Sequence, residues 1–166
     1  MSGKTLQERF WAKVEKTDTC WLWTGNHDRR GYGRIAVDGK TLGAHRVSYE
    51  LMHGPIPPRM LVDHRCFNHA CVNPSHLRLA TQKQNVEHRP GANKNNLSSG
   101  VRGVTWVKRE GKWQAMVVHN RKSHFAGYHL TIAAAEAAVI AKRLELFTHN
   151  DIDKISAVRR PSDLEQ

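Results

Sequence analysis

Residues 63–76 read DHRCFNHACVNPSH. Within this stretch Cys66, Cys71 and His76 recur at intervals of five. Two thiolates and an imidazole are soft to borderline ligands and suit zinc. Three protein ligands leave a fourth position, and Cys20 can close it. A Cys3His site of that kind ties the N-terminal segment to the central loop, a structural role that suits a domain too small to be held by core burial. The alternative is a set of ordinary buried cysteines and a satisfied core histidine. Asp63 and His64 do not easily join the same site, because neighbouring side chains on a strand point to opposite faces. A carboxylate there, with the side-chain oxygen of Asn85 on the following helix, suits magnesium. A neutral His64 beside a phosphodiester can take a proton from water at neutral pH. Spacing alone leaves two readings open: a catalytic set, or a histidine-containing loop with Asn85 as a surface residue.

Outward from this stretch, MLVDHRC predicts a short strand ending at Asp63 and His64, and TQKQNVEHR predicts a short helix capped by Thr81. The centre thus reads strand, metal-rich loop, helix. Upstream, LQERFWAKVEK predicts an amphipathic helix with Leu6, Phe10, Trp11 and Val14 near one side. YGRIAV, a DGK turn and TLGAHRV predict a hairpin, and AHRVSYELMHG predicts a helix stopped by Gly54 and Pro55. Downstream, RPGANKNNLSSG is a polar linker. Residues 101–130 then predict three short strands, with turns near Glu110–Gly111 and Asn120–Arg121. TIAAAEAAVIAKRLELF predicts a helix with Ala134, Ala138, Ala141 and Leu144 as its apolar stripe. Three strands backed by one helix make a minimal pair of layers. The last segment mixes charges and predicts no element.

The chain has 166 residues, 26 Lys plus Arg against 15 Asp plus Glu, and a formal net charge of +11. That excess points to a polyanion, with nucleic acid ahead of an anionic membrane. No apolar run is long enough to span a membrane, and the first residues lack the apolar core of a secretion signal. A cytoplasmic or reducing setting is therefore expected, and the three cysteines, an odd set, argue against a disulfide framework and for thiolates used as ligands.

VDHRCFNHACVNPSHLRLATQKQNVEHR, residues 62–89, resembles the core of the HNH, or His-Me finger, endonucleases, and among them the zinc-bearing His-Cys box relatives. GYGRIAVDGKTLGAHRVSYELMHG resembles the region upstream of that core in homing-type members. The resemblance implies an α+β fold with a small zinc-stabilised ββα-metal nuclease domain over residues 1–90. It implies His64 as general base and magnesium, or another divalent ion, on Asp63 and Asn85. Arg46 is a candidate phosphate contact and His45 a candidate supporting residue. In simpler relatives the position of His76 is an Asn that orients the base. Here His76 is assigned to zinc with Cys20, Cys66 and Cys71, and a backbone carbonyl accepting from the Nδ1 hydrogen of His64 is the expected substitute.

VRGVTWVKREGKWQAMVVHN and HFAGYHLTIAAAEAAVIAKRL resemble the DNA-binding domain of plant APETALA2-type factors, a three-stranded antiparallel sheet packed on one helix, here over residues 101–149 after a linker at 91–100 and before a polar tail at 150–166. In that fold the sheet enters the major groove. Arg102, Trp106, Lys108, Arg109, Lys112, Arg121 and Lys122 are the candidate DNA contacts, with Trp113 expected in the core. Together these resemblances imply a phage-encoded endonuclease acting on double-stranded DNA in the bacterial cytoplasm. It would be site-specific and of homing type, working as a monomer or homodimer, with 5′-phosphate and 3′-hydroxyl products. The competing reading is a non-catalytic, zinc-stabilised DNA-binding regulator.

Overall fold

The computed structural model describes residues 3–92 and 96–158; residues 93–95 of the expected linker and 159–166 of the expected tail lie outside the described residues. The chain divides into two compact units, Met1–Lys83 and Gln84–Gln166.

The first unit is built from pieces that are each too small to stand alone. Helix α1 spans Leu6–Trp11, shorter than the apolar pattern suggested. Thr5 caps it reciprocally with Glu8. Val14–Lys16 (β1) then turns back on Trp21–Trp23 (β2). Arg34–Val37 (β3) and Lys40–Gly43 (β4) form the expected hairpin. Ala44–His53 (α2) follows at once and ends at Gly54. Leu61–His64 (β5) is the expected strand, and it pairs with Leu77–Ala80 (β6), placing Asp63 opposite Arg78 and His64 opposite Leu77. Gln82–Glu87 (α3) follows β6 and runs from the end of the first unit into the second. All three sheets here are two-stranded ribbons, a form only marginally stable by itself in water. One apolar cluster joins them: Phe10, Trp23, Ile35, Ala44, Val47 and Val72, with the Phe10 and Trp23 rings 5.1 Å apart.

The second unit is a layer pair. Val104–Val107 (β7), Lys112–His119 (β8) and Lys122–His129 (β9) form one antiparallel sheet in that order. Ile132–Leu146 (α4), capped by Thr131, packs on one face of it. Strand alternation aims Ala115 and Val117 at the helix, and they form a core with Val104, Ala135, Val139 and Phe147. Gly103 is required by space, since a Cβ there would sit 2.5 Å from the Met116 carbonyl oxygen, and its φ is +86°. An irregularity between Gln114 and Met116 breaks the β8–β9 register, and Gly127 beside it has φ +106°.

Two expectations shift in this unit. The buried residues of α4 are Ala135, Val139, Ile140 and Arg143, whereas Ala134 and Ala141 face solvent. Asp151–Val158 form a further helix, α5. It is fastened by a buried fork: Arg143 Nε and Nη2 donate to Asp153 at 2.6 and 2.8 Å, and Asn150 Nδ2 donates to the same carboxylate at 2.6 Å. Among the described residues no helix is long and apolar enough to cross a membrane.

Candidate functional site

The sulfurs of Cys20, Cys66 and Cys71 and a ring nitrogen of His76 all lie within 4.8 Å of one another. Backbone pairing delivers each of them. β2 zips onto the Cys71 segment through Trp23 N–H to Ala70 O at 2.9 Å and Val72 N–H to Trp21 O at 2.7 Å, which brings Cys20 alongside Cys71. Arg65 N–H donates to His76 O at 2.8 Å, so the β5–β6 ribbon carries Cys66 and His76 to the same end. A single 3₁₀ turn, Pro74–His76, capped by the Asn73 side chain, aims the imidazole inward. Ser48 on α2 donates to the Val72 carbonyl at 2.5 Å and holds the loop from behind.

The dimensions suit zinc. Tetrahedral zinc with Zn–S near 2.3 Å and Zn–N near 2.0 Å sets neighbouring sulfur and nitrogen about 3.6 Å apart. His76 Nδ1 lies 3.7 Å from Cys20 Sγ and 3.6 Å from Cys71 Sγ. The thiols also perturb one another. The hydrogen bond from Cys71 draws Cys66 down to about 5, while that same bond and burial push Cys71 up. Burial also raises Cys20. Crowding favours the thiolate at Cys66 and the thiol at Cys71 and Cys20, and a divalent ion would favour the thiolate at all three.

Asp63 and His64 lie next to this centre, and their side chains serve different surroundings. Asp63 is buried, and Arg78 Nε across the ribbon donates to its Oδ2 at 3.1 Å. His64 is buried too, with Nε2 at 2.9 Å from the Cys71 carbonyl oxygen. A carbonyl can only accept, so Nε2 carries the proton and Nδ1 keeps the lone pair. The expected carbonyl is therefore present but meets the other ring nitrogen. It belongs to a residue of the thiol cluster, so one short segment both presents a candidate metal ligand and fixes the imidazole. Burial pulls the His64 pKa below the usual histidine range, with the Cys71 carbonyl opposing it.

Other rings gather around His64. His45, second residue of α2, lies 4.9 Å away between centroids. Burial first, then His64, pushes its pKa down to about 3, and its Nδ1 has no hydrogen-bond partner among the described residues. Tyr32 lies 5.8 Å from His64 and stacks on His69 at 4.1 Å and 12°. His69 is fixed in turn by Nδ1 donating to the Arg30 carbonyl at 2.8 Å. Sequence reasoning passed over Tyr32 and His69 as site residues. The available signal was the glycine pair around Tyr32: a Cβ at Gly33 would sit 2.6 Å from the Trp23 ring, so the loop bearing Tyr32 must press against the core. Arg46 follows His45 in α2 and is half-buried. Asn85 lies on α3, half-buried, in the unit that begins at Gln84.

In the second unit, Lys108, Arg109 and Lys112 stand at the β7–β8 turn and Arg121 and Lys122 at the β8–β9 turn. Arg102 is turned inward instead, its Nη1 donating to the Glu87 and Arg89 carbonyls at 2.9 and 3.1 Å. Trp106 pairs with Trp113, ring to ring at 5.1 Å. Trp113 packs against the core under α4, so Trp106 shares the helix side of the sheet.

Residues 42–87 match the model of a family described as HNH endonuclease. The matched stretch holds His45, Arg46, Asp63, His64, Cys66, Cys71, His76 and Asn85, and leaves Cys20 outside. The chain is similar to Protein 7.7 of Escherichia phage T7, 44% identical over 70 residues that make 42% of this chain and 54% of that protein. It is also similar to Protein 2.8 of the same phage, 34% identical over 83 residues, 48% of this chain and 56% of that protein. The chain spans about half the length of these curated relatives. No solved structure matches it. The HNH match and the Cys3His cluster are consistent with a metal-binding nuclease domain; the three-stranded sheet lies outside the matched residues.

Proposed function

We propose that this protein is a metal-dependent endonuclease that hydrolyses phosphodiester bonds in double-stranded DNA. The observation that carries the reading is His64 Nε2 held 2.9 Å from the Cys71 carbonyl oxygen, a contact that assigns the lone pair to Nδ1, inside the stretch that matches an HNH endonuclease model. His64 Nδ1 takes a proton from water as the water oxygen attacks phosphorus, and the bond to the 3′ oxygen breaks; that oxygen takes a proton from solvent, leaving a 5′ phosphate and a 3′ hydroxyl. The depressed pKa of His64 keeps it neutral and ready at pH 7. Magnesium on Asp63 and Asn85 would neutralise charge on the scissile phosphate and leaving oxygen. Arg46 contacts phosphate. Zinc on Cys20, Cys66, Cys71 and His76 is structural. The sheet of the second unit, on the APETALA2-type reading, docks on the duplex through Lys108, Arg109, Lys112, Arg121 and Lys122. We assign it a site-specific, homing-type role in a phage-infected bacterial cytoplasm.

One observation favours a second reading, a non-catalytic zinc-stabilised DNA-binding protein: the Asp63 carboxylate is buried and already bound by Arg78. A cation must then share or displace that guanidinium. Supercoiled plasmid incubated with the zinc-loaded protein, with and without magnesium, separates the two. Magnesium-dependent nicking or linearisation supports the endonuclease. Retarded plasmid with no broken strand supports the binding protein.

A further inference from the structure

We propose that the outward face of the β7–β8–β9 sheet reads A·T base pairs in the major groove, an inference that rests on the DNA-binding part of the reading above and names its target chemistry. The cross-strand register defines the face. Gln114 pairs with both Thr105 and Tyr128, Met116 with Phe125, and Val118 with Ser123. Ala115 and Val117 are buried under the helix, so by alternation these neighbours point the other way. The face is exposed and apolar: Val118 keeps 64% of its surface, Phe125 54% and Tyr128 39%. The Phe125 and Tyr128 rings meet edge to face at 5.1 Å.

Charge surrounds this strip and does not enter its middle. Lys108, Arg109 and Lys112 lie at one end of β8 and Arg121 at the other, in the turn that Lys122, paired with His119 on the helix side, closes. The acid among them, Glu110, is taken up by Arg109 at 2.9 Å. From Lys112 to His119 the strand runs about 24 Å at roughly 3.4 Å per residue. The major groove is about 12 Å wide, so the two basic turns can reach the phosphates on both of its walls with the neutral strip between them. That complementarity selects duplex DNA as the occupant.

The strip itself then sets the preference. Guanine is read by Arg or Lys on its N7 and O6, and no such side chain rises from the middle of the face. Adenine offers N7 as acceptor and N6 as donor, which one amide side chain matches, and Gln114 is placed to supply it. The thymine methyl is matched by apolar groups, and Met116, Val118 and Phe125 are the neighbours.

The test is selection from a pool of duplexes with randomised centres, using the full-length zinc-loaded protein without magnesium and sequencing what is retained. A·T pairs should be enriched, about tenfold over G·C at the position read by Gln114. Gln114→Arg should move that one position to G·C, and Gln114→Ala should relax it while duplex binding persists. Enrichment of G·C, no base preference, an unchanged selection with both variants, or preferential retention of single strands would each overturn the inference. A protein that binds no duplex overturns the DNA reading as well. One that selects A·T yet never cuts overturns the endonuclease alone and leaves this inference supported.

Discussion

The two units solve the same stability problem with different means. The second lays a three-stranded sheet on a fifteen-residue helix and buries Val104, Ala115, Val117, Ala135 and Val139 between them. The first has only two-stranded ribbons and helices of six and ten residues. Among the described residues its convergent donor set is polar, the Cys20, Cys66, Cys71 and His76 cluster that brings together the start of β2, the loop after β5 and the turn before β6. A layer pair stays folded through apolar area, whereas an assembly of ribbons needs a point where its strands are tied together. The same segment also holds the ring of His64, through the Cys71 carbonyl.

That contrast can be broken at either end. The largest effect is expected from Cys66→Ser. The wild-type protein should hold one structural zinc per chain, and the variant should lose it together with the fold of the first unit and all cleavage. Zinc content and dispersion of amide signals from residues 14–80 are the readouts; a folded, zinc-free variant would contradict the structural role. Next, His64→Ala should lower plasmid cleavage by roughly 10²–10⁴-fold with zinc content unchanged. Equal cleavage by that variant removes His64 from the mechanism. Third, Arg143→Ala should cost the second unit roughly 3–5 kcal/mol, because it strands a buried Asp153. Denaturant melts should show that loss with zinc still bound.

The smallest effect concerns pH. In the folded chain His45 is held near 3 against an ordinary value of 6.5. Between those values the unfolded state binds the extra proton, so stability is full above pH 6.5 and falls as pH drops toward 3. The loss should be on the order of 1 kcal/mol by pH 5.5. His45→Phe should flatten that part of the difference, while protonation of the zinc ligands affects both proteins alike. Identical acid limbs for the two would show that His45 is not held neutral by the fold.

Legibility followed locality. The spacing of Cys66, Cys71 and His76 needs only a loop to converge, and it did so with Cys20. The strand ending at His64 was visible because MLVDH carries its apolar residues together. Its partner β6 was not read as a strand, since the long loop between it and β5 carries no hairpin-turn signal. On α4 the stripe was placed one residue off. Alanine is apolar on every side of that helix, so periodicity cannot mark the buried face, and Arg143 is buried only because Asp153 on α5 meets it. The tautomer of His64 and the stacking of Tyr32 on His69 depend on segments far apart in the chain, which no spacing rule encodes.

Hydrogen exchange on the full-length protein, zinc-loaded and after zinc removal by a chelator, tests the division between the units most directly. Amides of β2, β5 and β6 should lose their protection when zinc is removed, while those of β8 and α4 keep theirs. Undiminished protection of β5 and β6 in the zinc-free chain would contradict the account, because the ribbon that carries His64 would then be holding itself.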